Sequence, residues 1–118
     1  METSPKAAYV YQTDGGRCPF DEWLEALRDR RGRAKIWAKI ARVRAGNLGS
    51  CESVGKGVLE LKVDFGPGYR VYIGQVGQES VILLCAGDKS TQDQDIRRAH
   101  DYWVDYWRRP HAVRKALS

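Results

Sequence analysis

Two neighbouring segments of this chain carry polar residues at alternating positions. Glu60 and Lys62 stand in the first, Arg70 and Tyr72 in the second, with Gly66-Pro67-Gly68 between them. Lys89 follows the apolar run that begins at Val81. Such a set matches the needs of metal-independent RNA cleavage by the RNA's own 2′-hydroxyl. That reaction requires a base near the hydroxyl, positive charge around the phosphorane, and a proton donor for the departing 5′-oxygen. In this scheme Glu60 is the base. Arg70 grips two phosphate oxygens at once. Lys62 and Lys89 add charge, and either can donate the proton. Tyr72 stacks on a base or supplies a hydrogen bond. Arg42 and Arg44 are further candidates for holding the substrate. The commoner meaning of such alternation is a charge ladder on a solvated sheet face, of modest value to stability. The alternation alone favours that plainer meaning.

The elements that must position these groups can be read from periodicity. Tyr9, Val10 and Tyr11 favour a strand over residues 7–12, ended by Asp14-Gly15-Gly16. A helix is expected over 19–29. Pro19 suits its first turn, Asp21 and Glu22 complement its dipole, and Phe20, Trp23, Leu24 and Leu27 form one stripe. Gly32 is expected to break the helix. A second helix follows to about Ala45, with Ile36, Ile40 and Val43 as its apolar stripe and Gly46 as its stop. The segment 46–57, with its glycines, reads as a loop. Three strands come next, at 58–65, 69–76 and 80–86. A last helix spans 91–109, capped by Ser90 or Thr91 and halted by Pro110. Tyr102, Trp103, Tyr106 and Trp107 crowd it; most should be core, with at least one Trp exposed. The tail 110–118 is expected to fray.

A three-residue loop at Gly66-Pro67-Gly68 would pair Phe65 with Tyr69, Asp64 with Arg70 and Lys62 with Tyr72. Leu59, Leu61, Val63, Val71 and Ile73 then share the face that packs on helices. Glu60, Lys62, Asp64, Arg70 and Tyr72 share the solvent face. A two-residue loop at Gly77-Gln78 would set Tyr72 opposite Leu83. It would add Val81, Leu83 and Cys85 to the polar face and Ile82, Leu84 and Ala86 to the core.

The chain has 118 residues, 42% hydrophobic and 30% charged. That supports one hydrophobic core burying about two-thirds of the unfolded surface, hence one domain over 1–118, with its body at about 8–107. No repeat or linker divides it. No apolar run approaches the roughly 20 residues of a membrane span, and the N-terminus does not have the pattern of a signal peptide. Cys18, Cys51 and Cys85 stand far apart without metal-ligand spacing, and His100 and His111 are the only histidines. No metal or cofactor is expected, and the reducing cytoplasm is the expected compartment. The net charge of +5 is concentrated between Arg28 and Arg44, which suits an anionic partner or a solvated helix face.

The run from Gly57 to Ile96 resembles the RelE/ParE-like toxin superfamily, in particular its HigB-type addiction module killer branch. The cues are Glu60-Leu61-Lys62, then Phe65-Gly66-Pro67-Gly68-Tyr69-Arg70-Val71-Tyr72, then Gly87-Asp88-Lys89-Ser90 with Gln92 and Asp95-Ile96. Phe20, Trp23 and Leu24, and the run from Arg44 to Gly49, fit the same branch. The resemblance covers about residues 8–107. It implies an α+β fold with two N-terminal helices packed on a small antiparallel sheet and a C-terminal helix. It also implies an mRNA-cleaving toxin of a type II toxin–antitoxin pair, acting at the ribosome and held by a helix-turn-helix antitoxin. By position, Arg70 matches the family's phosphate-binding arginine, Lys62 a lysine of the preceding strand, and Lys89 an arginine after the last strand. Glu60 stands where a lysine is usual, Asp95 falls near the place of a catalytic tyrosine, and no histidine ends the sheet. Other members of the superfamily inhibit DNA gyrase by binding. A gyrase inhibitor, or an inactive nucleic-acid-binding module, is therefore the alternative.

Overall fold

The computed structural model describes residues 5–111 and 113–115. Strand β1 (Ala7–Tyr11) leads to helices α1 (Pro19–Ala26) and α2 (Arg30–Arg44). Strands β2 (Cys51–Ser53), β3 (Val58–Val63), β4 (Tyr69–Val76) and β5 (Ser80–Asp88) follow. A 3₁₀ turn (Lys89–Thr91), helix α3 (Gln92–Arg108) and strand β6 (Val113–Lys115) are the last elements among the described residues. The strands form one sheet in the order β2-β3-β4-β5-β1-β6. The fold is α+β. The sheet is mostly rather than wholly antiparallel, because β1 runs parallel to β5. Among the described residues no helix is long and apolar enough to cross a membrane.

Helices α1 and α2 cover one face of the sheet. Phe20, Leu24, Ile36, Ile40 and Val43 pack there on Leu61, Val63, Val71 and Ile73, with Trp23 and Leu27 partly buried at the edge. This is the packing expected from the two stripes. Gly32 does not break the helix as expected. It sits in the first turn of α2, where its N–H donates to the Asp29 carboxylate at 2.9 Å, the N-cap bond. A Cβ on Gly32 would stand 2.5 Å from the Tyr69 ring. The glycine therefore serves close packing, and Tyr69 donates its own hydroxyl to Asp29 at 2.6 Å. The chain breaks earlier, at Leu27, whose backbone is extended. Gly46, with φ +94°, ends α2 as expected.

Helix α3 covers the other face, which was expected to be open. Ala99, Trp103 and Tyr106 pack there on Val58, Tyr72, Ile82 and Leu84. Gly74 admits Trp103: a Cβ there would lie 2.3 Å from the indole. Trp107 is 54% exposed, so the expected outward tryptophan exists. Two segments read as irregular are partly strand. Residues 51–53 pair with β3, and Val113–Lys115 pairs with β1 in place of a frayed tail. Residues 1–4, 112 and 116–118, on which the readings of the N-terminus and tail partly fall, lie outside the described residues.

The hairpin registers differ from expectation in an instructive way. Lys62 pairs with Arg70 and Glu60 with Tyr72, a shift of two from the expected pairs. A shift of two leaves every side chain on its expected face. The next loop is one residue longer than expected, so Ile73 pairs with Leu83 and Val76 with Ser80. That odd shift turns Val81 and Leu83 toward α1 and α2, and Ile82 toward α3. The register then jumps between Tyr72 and Ile73, so that Tyr72 pairs with Cys85. This β-bulge leaves Leu84 and Cys85 both on the α3 side and returns Ala86 to the other.

Candidate functional site

Three cations from successive strands meet at one end of the sheet. Lys62 comes from β3, Arg70 from β4, and Lys89 from the turn that ends β5. They line a groove of about 430 Å³ together with Ser50, Asp64 and the Gly66-Pro67-Gly68 loop. Gly68, at φ +80°, lets that loop pass close to Lys89, whose Cβ would lie 3.6 Å from one on Gly68. Lys62 Nζ also pairs with the exposed Glu52 carboxylate at 2.8 Å. Such an exposed pair contributes little stability and leaves the lysine free to swing.

Glu60 is not at this surface. It is fully buried, a correction to its expected place as a solvent-facing base. One carboxylate oxygen accepts from Tyr72 Oη at 2.9 Å and from Gln92 Nε2 at 2.8 Å. The other has no hydrogen-bond donor and stands 4.0 Å from Arg70 Nη1. Glu60 therefore touches the groove through Arg70 and not directly. Tyr72 is likewise fully buried, which removes it as a platform for a stacked base. Burial, reinforced by the Glu60 carboxylate, pushes the Tyr72 phenol well above its ordinary pKa, so it remains a donor. The Arg70 side chain is 13% exposed, and its Nε is buried without an acceptor. Its guanidinium thus sits between a buried anion and the groove.

Of the residues after β5, Lys89 lines the groove, and its neighbours hold it in place. Asp88 accepts from Ser90 N at 2.8 Å and so fixes the turn that carries Lys89. Asp95 is buried beneath it and accepts from the Thr91 hydroxyl at 2.5 Å. Burial raises the Asp95 pKa above the usual carboxylate value, with the Thr91 bond opposing the rise. A Cβ on Gly87 would stand 1.8 Å from the Asp95 carboxylate, so glycine is required there. The Gly87-Asp88-Lys89-Ser90 run, Gln92 and Asp95 thus form one unit. It anchors the start of α3 and holds Glu60.

The groove continues along α2. Lys35, Lys39 and Arg42 line this extension of about 450 Å³ with Asn47, Gly49 and Ser50, and it shares Lys62 and Asp64 with the first part. Arg42 is therefore at the groove. Arg44 does not line it; this side chain is half-buried with a buried, partnerless Nε. Sequence reasoning nominated neither Lys39, Asp64 nor Gln92. Gln92 and Asp64 carried a signal, one inside a motif and the other on the alternating face. Lys39 was hidden in a helical charge run.

Among the described residues no group of three His, Cys, Asp or Glu stands close enough to hold a metal ion. Cys18, Cys51 and Cys85 form no disulfide.

No family model matches the chain. An uncharacterized protein of Haemophilus influenzae is 52% identical over 80 residues, a stretch that covers 68% of this chain and 81% of that protein. Identity of that degree over most of both chains makes them homologous, and this chain belongs to the family of that Haemophilus protein.

Proposed function

We propose that this chain is a metal-independent endoribonuclease of the RelE/HigB type, the toxin of a type II toxin–antitoxin pair. In this reading it acts in the cytoplasm on mRNA at the ribosome and is neutralised by a small helix-turn-helix antitoxin. The observation that carries the reading is the meeting of Lys62, Arg70 and Lys89 in one groove. The motif resemblance supports it.

The 2′-oxygen attacks phosphorus as its proton passes to a base. The bond to the 5′-oxygen breaks, and an acid protonates that oxygen. The products are a 2′,3′-cyclic phosphate and a 5′-hydroxyl. Arg70 stabilises the extra negative charge that builds on the phosphorane oxygens. Lys62 or Lys89 is the acid. Asp64, exposed at the groove's edge, takes the place of Glu60 as the base. Glu60 becomes a positioning residue for Arg70.

The test is induction in a translating extract, with transcript 5′ ends mapped by primer extension. Wild-type protein creates new 5′ ends. Arg70→Ala lowers their rate of appearance by about 100- to 1,000-fold, the usual cost of losing transition-state charge stabilisation. Circular dichroism checks that the variant is folded. Growth arrest with gyrase inhibition and no new 5′ ends would overturn the reading in favour of a binding toxin.

A further inference from the structure

The groove does not end at Arg70, and its extension along α2 contains an unusual cation. Lys39 is 6% exposed, yet it lines that extension. Among the described residues it forms no ion pair with a carboxylate. Gly49 crosses directly over it: a Cβ at Gly49 would stand 2.8 Å from Lys39 Nζ. Gly49 has φ +59°, and its N–H donates to Asn47 Oδ1 at 3.0 Å, which fixes the crossing. A buried charge without a counter-charge is costly. Burial, with Arg42 nearby, holds the Lys39 pKa below the ordinary lysine value. An anion in the groove would supply the missing counter-charge and offset the repulsion from Arg42. Asp64 is the one carboxylate among the residues lining either part.

We infer that the α2 side of the groove is a second phosphate subsite, in which Lys39 and Arg42 hold the backbone of a single-stranded polynucleotide next to the nucleotide seated at Arg70. The inference rests on the reading of the Arg70 groove as an RNA site. Continuity favours a polymer: both parts share Ser50, Lys62, Val63 and Asp64, so a strand leaving one enters the other. A recessed cation beneath a glycine suits a phosphate, which projects its oxygens from a thin backbone.

Fluorescence anisotropy with 2′-deoxy oligonucleotides, which lack the attacking hydroxyl, tests this on the full chain. A strand of about nine nucleotides should bind more tightly than one of about three, since sites of this kind span several nucleotides. Lys39→Met keeps most of the side-chain volume, and Arg42→Ala alters an exposed residue whose loss opens no cavity. Each should remove most of the gain from length and lower the salt slope of the long strand by about 0.7, the value of one phosphate contact on single strands. If both variants keep the length gain and the slope while Arg70→Ala loses binding, the second subsite is wrong and the Arg70 reading stands. If wild-type protein binds neither strand, both fall. If it binds polyglutamate but neither strand, the groove belongs to an acidic protein partner and the subsite is overturned.

Discussion

The two faces of the sheet are both covered, but by different chemistry. Under α1 and α2 the strands present Leu61, Val63, Val71, Ile73 and Leu83, an aliphatic surface met by Phe20, Leu24, Ile36 and Ile40. Under α3 the coverage changes along the helix. At its C-terminal half Trp103 and Tyr106 press on Val58, Tyr72 and Ile82. At its N-terminal half Gln92 donates to Glu60 and Asp95 accepts from the Thr91 hydroxyl, with Asp95 packed closely against Gly87. The first face holds the fold together by apolar burial. The second mixes burial with a polar network that ends at Arg70. An alternating polar strand face therefore need not be a solvated one. Here α3 hides Glu60 and Tyr72 but leaves Lys62 and Lys89 at the surface beyond its first turn.

If the contrast holds, mutations on the two faces separate stability from activity. Leu61→Ala on the aliphatic face should give the largest effect, about 2–5 kcal/mol of stability lost to cavity formation. Urea unfolding measures it. A loss below about 1 kcal/mol would mean that this face collapses around the gap and is not the rigid one.

Glu60→Gln on the opposite face should do the reverse. The amide oxygen still accepts from Tyr72 and Gln92, and removal of a buried charge offsets part of any loss. Stability should change by about 1 kcal/mol or less, within the range of a single hydrogen bond. Cleavage should fall by about tenfold, equivalent to about 1.4 kcal/mol, as Arg70 loses its anchoring carboxylate. The acidic limb of the pH–rate profile should remain in place. Its disappearance would restore Glu60 as the base.

The smallest effects compare two aspartates, one on each face, whose pH linkage has opposite signs. The Tyr69 hydroxyl and then the Gly32 N–H hold the Asp29 pKa below its ordinary value of 3.8. Its stabilisation is present above the unfolded value and is lost as pH falls through the folded one. The advantage of wild type over Asp29→Asn should therefore shrink as pH drops below about 3.8. Asp95 is raised by burial, so folding favours its protonated form. Wild type should lose stability relative to Asp95→Asn as pH climbs from about 3.8 through the folded value. Denaturant midpoints at several pH values for both pairs would decide it. Equal signs would mean that the two carboxylates share one kind of environment.

Much of this was legible in the residues, and the errors have identifiable causes. The stripe Phe20–Leu24 and the stripe Ile36–Ile40–Val43 predicted the first layer because helical spacing is local. The faces of β3 and β4 survived an error in register because the error was even. Those of Val81 and Leu83 did not, because one additional loop residue makes an odd shift and inverts a strand. The bulge at Leu84–Cys85 then restored Ala86 to its expected side. Gly32 was misread because a glycine that admits a distant ring has the same local signature as one that ends a helix.

The sequence by itself determined the elements with clear periodicity, the layer formed by α1 and α2, and the candidacy of Lys62, Arg70 and Lys89. These follow from local spacing and from side-chain chemistry, which do not depend on distant contacts. Only the tertiary structure decided that α3 lies over Glu60 and Tyr72, that β1 runs parallel to β5, and that Lys39 is buried beneath Gly49. Each of these depends on residues far apart in the chain. The cost of burying a charge exists only once another element arrives to exclude the water.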